Sequence, residues 1–278
     1  MANQHEKAVA FQALHARPGL FVIPNPWDAG TARMLTTLGF EALATTSAGF
    51  AFTLGRRDGA GEVSRDEILA NARRIVEATH LPVSADLENC FAHAPEAAAE
   101  TIRLAAGVGL VGGSIEDQTG DPRKPIYDFE LAVERVRAAV AVARALPFPF
   151  TLTARAENFL NGRPDLADTI RRLQAFEAAG ADVLYAPGLP DLASIRAVTS
   201  AVGKPVNHVM GSWTPDLTLD QLAAAGVKRV SVGGALARAA LGAFLKGAKE
   251  IQRQGTFTYV RDAASFADIN RYYQGDKP

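Results

Sequence analysis

Two carboxylates one residue apart, Asp86 and Glu88, lie at the end of a short apolar run, Val83–Asp86 (VSAD). A third, Glu116, ends the run Gly112–Glu116 (GGSIE), and a lone base, Arg155, ends Thr151–Arg155 (TLTAR). Residues i and i+2 of an extended segment face the same side, so Asp86 and Glu88 present their carboxylates together. If these runs are neighbouring parallel strands, all four groups meet at one end of a sheet. Unpaired carboxylates crowded there repel strongly. A hard divalent cation relieves that repulsion, and Mg²⁺ takes oxygen ligands, usually one or two carboxylates plus waters and substrate oxygens. Asp86, Glu88 and Glu116 are therefore the candidate metal ligands. Singly, each carboxylate could serve equally as a helix cap or a loop ion pair; the group as a whole is harder to account for that way. Arg155 carries the planar donor fork that grips a carboxylate in bidentate fashion, or else forms a structural ion pair with Glu157 or Glu116.

The elements that would position these residues alternate along the chain. Eight short runs read as buried parallel strands: Phe21–Asn25, Ala42–Thr46, Val83–Asp86, Gly112–Glu116, Thr151–Arg155, Val183–Ala186, Val206–Val209 and Arg229–Val232. Amphipathic segments lie between them: 29–38, 64–79, 95–106, 129–145, 165–179, 191–201, 218–225 and 235–254. Ser64 and Glu67 form a capping-box pattern at the head of one of them. Gly39, Gly107, Gly180 and Gly226 follow helix-like runs as stop signals. Eight β/α units predict an α/β chain folded as a (β/α)₈ TIM barrel, one domain over residues 1–278 with a helical tail from about 235. The tail aromatics Phe257, Tyr259, Phe266, Tyr272 and Tyr273 need a surface, either the barrel base or a neighbouring subunit.

Active sites of such barrels form at the C-terminal strand ends. That places Asn25, Trp27, Asp28, Thr45, Thr46, Ser47, Asn89, Asp117, Glu157, Asn158 and Asn207 at the same mouth. The stretch Thr45-Thr46-Ser47-Ala48-Gly49 could offer N–H groups and hydroxyls to a developing oxyanion, although an ordinary βα turn accounts for it too. Other signals carry less. Gly107–Gly112 matches G-x-G-x-x-G but precedes a strand, which speaks against a dinucleotide site. Gly233-Gly234 is a phosphate cradle or a turn that needs small residues. His93 and His208 lack metal-ligand spacing, and Cys90 reads as a small buried hydrophobe before a reactive thiol.

Bulk properties exclude several classes. The 278 residues are 48% hydrophobic and 21% charged, enough for a core without staples. A net charge of −1 without a basic run argues against nucleic-acid or anionic-membrane partners. A single cysteine, no signal-peptide core and no 18-residue apolar stretch set the expectation of a cytoplasmic protein.

The motifs PNPWDAG, TTSAGFAFTLGRRDG, SADLEN, GGSIED and TARAEN together resemble the isocitrate lyase/phosphoenolpyruvate mutase superfamily, in register from about Val22 to Gly234. The resemblance implies a (β/α)₈ barrel with its last helix exchanged between subunits of a homodimer or homotetramer. It also implies bound Mg²⁺, with Mn²⁺ as the alternative ion, and a small 2-oxo or 2-hydroxy acid substrate. Position by position, Asp86, Glu88 and Glu116 match carboxylates that hold the metal directly or through water. Asp58 matches a catalytic loop aspartate near metal-bound water. Arg155 matches the arginine on the substrate carboxylate, Thr46 and Ser47 with Thr45 the segment receiving substrate oxygens, and Asn207 a pocket-lining residue. The chain departs from the lyases where their Lys-(Lys/Arg)-Cys-Gly-His loop would stand: here 117–124 reads DQTGDPRK. Their strand-six glutamate is replaced by Tyr185-Ala186-Pro187-Gly188, and Cys90 stands where glycine is usual.

The expected activity is thus metal-dependent cleavage of a C–C bond in a short oxo or hydroxy acid, of the methylisocitrate lyase or oxaloacetate decarboxylase kind, through an enolate. Gln118–Pro125 would close over the site. The alternatives are P–C chemistry on phosphonopyruvate, for which Arg123 and Lys124 would supply charge, and a barrel that binds a 2-oxo acid without turnover.

Overall fold

A computed structural model describes residues 2–211 and 213–274; Met1 and the last four residues of the expected tail lie outside them. Its strands are β1 Phe21–Ile23, β2 Leu43–Ala44, β3 Val83–Ala85, β4 Gly112–Glu116, β5 Thr151–Arg155, β6 Val183–Tyr185, β7 Val206–Val209 and β8 Arg229–Ser231. All pairings are parallel, in the order β1-β8-β7-β6-β5-β4-β3-β2. The seam between β1 and β2 is bridged by the Ala44 N–H donating to the Pro24 carbonyl at 3.1 Å. Asn25 clasps the same seam. Its Nδ2 donates to the Thr45 carbonyl, and its Oδ1 accepts from the N–H groups of Val232 and Gly233, each at 2.9 Å. The expected (β/α)₈ barrel is what forms, and Asn25 is part of its closure.

The helices are α1 Gln4–Ala16, α2 Ala29–Thr37, α3 Ser47–Thr53, α4 Arg65–Glu77, α5 Pro95–Gly107, α6 Phe129–Ala145, α7 Leu166–Ala178, α8 Leu192–Ala201, α9 Leu219–Ala224, α10 Ala235–Gln254 and α11 Phe266–Gln274. The capping box heads α4 as expected: Ser64 and Glu67 exchange backbone and side-chain hydrogen bonds. Asp28, grouped above with the strand-end acids, is the cap of α2, accepting from the Thr31 N–H at 2.7 Å. Gly39, Gly180 and Gly226 take positive φ just past α2, α7 and α9 and end them. After α5 that part falls to Gly109 and not to Gly107, which is still helical.

Two helices were not legible as such. α1 plugs the N-terminal end of the barrel, where Ala8, Phe11 and Leu14 pack on Phe21, Ile23, Ala42 and Val111. α3 occupies the stretch that reads as a turn, with Thr46 as its cap accepting from the Gly49 N–H. Because α1 fills the base, the aromatic tail goes elsewhere: α11 lies on α2, with the Thr37 hydroxyl donating to the Tyr272 carbonyl at 3.0 Å. Phe266 and Phe257 stay exposed. No helix among the described residues is long and apolar enough to cross a membrane.

Candidate active site

Register brings the chemistry together. β4 and β5 pair Glu116 with Arg155, β5 and β6 pair Arg155 with Tyr185, and Asp86 follows directly on β3 beside β4. Arg155 is the hub. Its Nη1 donates to Asp86 Oδ1 at 2.8 Å, its Nη2 lies 3.0 Å from Glu116 Oε2, and its Nε donates to Glu157 Oε1 at 2.7 Å. The Tyr185 ring lies under the guanidinium, 5.0 Å from its centre. Of the two sequence readings of Arg155, the structural ion pair is present three times over, and the side chain also lines the pocket.

One guanidinium faces three carboxylates, and two more acids lie close by. Glu88, partly buried, has no basic partner among the described residues. Burial first, then the charges of Asp86 and Asp58, push its carboxyl up to about 7. Asp58, on the loop after α3, is raised by desolvation and by Asp86. Glu116 is buried and is held well above the usual carboxylate range by desolvation, with Arg155 opposing. This is the electrostatic signature of a site short of positive charge.

A pH effect follows from Glu88. Its folded value lies near 7 and its ordinary value is 4.5. A raised folded value means that folding takes up a proton, so the contribution is full below pH 4.5 and is lost as pH rises to 7. Glu88→Gln should therefore match the wild type near pH 4.5 and exceed it at pH 8, by up to about 3 kcal/mol in metal-free denaturant titrations. A pH-independent gap would remove Glu88 from the charge cluster.

The remaining expected residues converge on one cavity of about 320 Å³, lined by Thr45, Thr46, Ser47, Asp58, Asp86, Arg155 and Asn207 among others. Glu88 and Glu116 instead line a neighbouring hollow bounded by Gly59, His93 and Gln118. Several of these groups also serve the scaffold. The Thr45 hydroxyl accepts from the Asp86 N–H at 3.0 Å, and the Ser47 hydroxyl donates to Asp86 Oδ2 at 2.9 Å. Asn207 donates to the Ser231 hydroxyl at 3.0 Å and accepts from Arg229 Nε at 2.8 Å. Asp117 and Asn158 belong to a layer behind the site. Asp117 accepts from the Glu157 N–H and from Arg172, which also holds Asp168, and Asn158 donates to Asp168. Cys90 is fully buried and its thiol is pushed up to about 12 by burial, so it is the small hydrophobe and not a nucleophile.

Among the described residues no three Asp, Glu, His or Cys side chains, Asp86, Glu88 and Glu116 included, converge as a set that could hold a metal ion by themselves. The oxygen-only donor set and its surplus of negative charge still suit Mg²⁺, which keeps several waters and needs only one or two direct carboxylates.

A family model, phosphoenolpyruvate phosphomutase, matches residues 11–252. The chain belongs to this family. The 2-methylisocitrate lyase of Escherichia coli (strain K12) is 31% identical over 232 residues, 80% of this chain and 77% of that one. A structure from Burkholderia cenocepacia J2315, described provisionally as a lyase/mutase, is 61% identical with a TM-score of 0.95 over 99% of both chains. The structure of 2,3-dimethylmalate lyase, a member of the PEP mutase/isocitrate lyase superfamily, is 25% identical with a TM-score of 0.85, covering 98% of this chain and 95% of that one. The resemblance carried by the five motifs is thus a family relation over nearly the whole barrel.

Three features of the site are not announced by residue types and spacing. The turn after β3 holds three non-glycine residues at positive φ: Glu88 at 49°, Cys90 at 60° and Phe91 at 56°. Each costs on the order of 1–3 kcal/mol and persists only where its surroundings impose it. The one available signal was Cys90 at a position where the family's pattern has glycine. Arg229 reads in the sequence only as a strand residue. It is buried, lines the pocket floor, and is bonded to Asn207, Thr153 and His15 with no carboxylate partner among the described residues. Arg135 on α6 is also buried and reaches the backbone of the turn after β3.

Proposed function

We propose that this chain is a Mg²⁺-dependent lyase that breaks a C–C bond of a short 2-oxo or 2-hydroxy carboxylic acid through an enolate. The observation that carries this reading is the Arg155 hub, with its three carboxylates and the uncompensated Asp58 and Glu88, at the mouth of a cavity sized for a small acid. Asp86 would hold the metal directly, and Glu88, Glu116 and Asp58 would hold it directly or through water. When bound, the metal supplies positive charge to the substrate's carboxylate and 2-oxygen.

The chain's own groups do the rest. Arg155 has one further N–H on each terminal nitrogen after pairing with Asp86 and Glu116, enough to grip a substrate carboxylate. Ser47 and Thr46 stand at the head of α3, whose first N–H groups would meet charge that develops on a substrate oxygen as the enolate forms, while the Ser47 hydroxyl stays on Asp86. Asp58, at the mouth, is placed to pass a proton. The segment after β4 is pinned at its base: Gln118 and Ile126 form an antiparallel bridge, and the Thr119 N–H donates to the Pro125 carbonyl at 2.9 Å. Only its tip is free to cover the site.

That tip favours C–C over P–C chemistry. Arg123 and Lys124, the cations that a phosphonate would want, pair with Asp121 and Asp128 on the exterior. The apolar side chains Leu241, Phe244, Leu245 and Ile251 that α10 leaves exposed suit a helix exchanged with a second copy, giving a homo-oligomer.

The test is a screen of oxaloacetate, 2-methylisocitrate and phosphonopyruvate with Mg²⁺, reading pyruvate release. The proposal expects turnover of one of the two C–C substrates that EDTA abolishes. Phosphonopyruvate as the sole substrate would transfer the site to P–C chemistry, and binding without release in all three would make the barrel a receptor.

A further inference from the structure

The strained turn after β3 needs something to impose it, and the structure shows what does. Its carbonyls are nearly all engaged. The Leu87 carbonyl accepts from the Cys90 N–H, that of Glu88 from the Glu116 N–H, and that of Cys90 from the Thr101 hydroxyl at 2.7 Å. Three more are taken by a single side chain from α6. Arg135 donates from Nη2 to the Asn89 carbonyl and from Nη1 to the carbonyls of His93, at 2.7 Å, and Ala92. Arg135 is 1% exposed and has no carboxylate partner among the described residues. The face of Tyr127 lies 4.2 Å from it, and the Tyr127 hydroxyl lies 2.6 Å from His93 Nδ1, closing the same turn from outside. A buried cation without an anion is costly, so one spent on backbone carbonyls marks a conformation that the rest of the chain does not hold by itself.

We infer that Arg135 is a positioning residue, a clamp that holds the left-handed turn 88–91 and so aims Glu88 at the metal. The guanidinium suits this task because its fixed fork spans several carbonyls at once, which the compact ammonium of lysine does not. Without the clamp, Cys90 and Phe91 relax out of the left-handed region, Glu88 swings away, and the buried thiol opens to solvent. The aim at a metal rests on the metal reading of Glu88 given above; the clamp itself does not.

Cys90 is the chain's single cysteine and is buried in the clamped turn, so it reports on the clamp directly. The experiment measures native-state reaction of the thiol with 5,5′-dithiobis(2-nitrobenzoate), and Mn²⁺ affinity by calorimetry. It compares wild type, Arg135→Lys, Glu88→Gln and Ala139→Gly. Ala139 is buried on the same helix and controls for general weakening of α6. We expect Arg135→Lys to be labelled at least tenfold faster than Ala139→Gly and to bind Mn²⁺ about tenfold more weakly, the usual scale for losing an outer-shell support. Labelling of Arg135→Lys at the control rate would overturn the clamp. Glu88→Gln with wild-type Mn²⁺ affinity would overturn the metal role of Glu88 and leave the labelling arm to decide the clamp alone. If Arg135→Lys does not fold, Tyr127→Leu, which removes the ring under the guanidinium, should accelerate labelling severalfold; protection equal to wild type would again overturn the clamp.

Discussion

Asp86→Ala is expected to lower turnover by at least about a thousandfold while leaving the barrel folded. Loss of a metal carboxylate removes several kcal/mol of transition-state charge stabilisation, and about 4 kcal/mol corresponds to that factor. The same change does little to stability. It removes an acceptor from Arg155 and Ser47, but Arg155 keeps Glu116 and Glu157, and the repulsion felt by Glu88 and Asp58 is relieved. The check is steady-state kinetics beside a thermal melt. A variant that melts several degrees lower with residual activity in proportion to its folded fraction would make Asp86 structural.

Arg155→Ala reverses that balance. Its side chain is 13% exposed and the three carboxylates around it are 22%, 8% and 1% exposed. Removing the cation that they share leaves Asp86, Glu116 and Glu157 without a basic partner, and breaking a buried pair this way costs about 3–5 kcal/mol. Turnover should fall as well, since the grip on the substrate carboxylate goes with it. The sign of the pH dependence identifies the cause. Glu116 and Glu157 are raised by desolvation while Arg155 opposes the rise. Without Arg155 they rise further, so both protonate readily and the penalty is small in acid. It grows as pH rises through their folded values. Urea titrations at pH 5 and pH 8 should show the gap from wild type widening with pH. A constant gap would mean that the lost packing, and not the charge, sets the cost.

The contrast between these variants reflects what the sequence could and could not say. The barrel was legible because eight apolar runs alternate with helices punctuated by glycine, and the strand-end carboxylates followed from the barrel rule alone. Register then did what spacing could not. Glu116 and Arg155 are adjacent because β4 and β5 pair them, and Arg155 contacts all three carboxylates at once. Asp28 shows the limit of counting acids at strand ends, since its carboxylate is spent on capping α2. Ser47 and Thr46 read as a turn because a helix as short as α3 leaves no periodic pattern. The turn 88–91 was hidden for a different reason: left-handed backbone is normally announced by glycine, and here Glu88, Cys90 and Phe91 adopt it under tertiary constraint. Arg135 carried no signal, being one arginine among several on an amphipathic helix.

In the proposed function these carboxylates form a metal centre that binds a 2-oxo acid. Calorimetric titration of the wild-type protein with oxalate, as a stable mimic of an enolate, tests it most directly when run with Mg²⁺ and again with EDTA. A saturable isotherm with Mg²⁺ that disappears with EDTA is the expected result. The same isotherm under both conditions would contradict it.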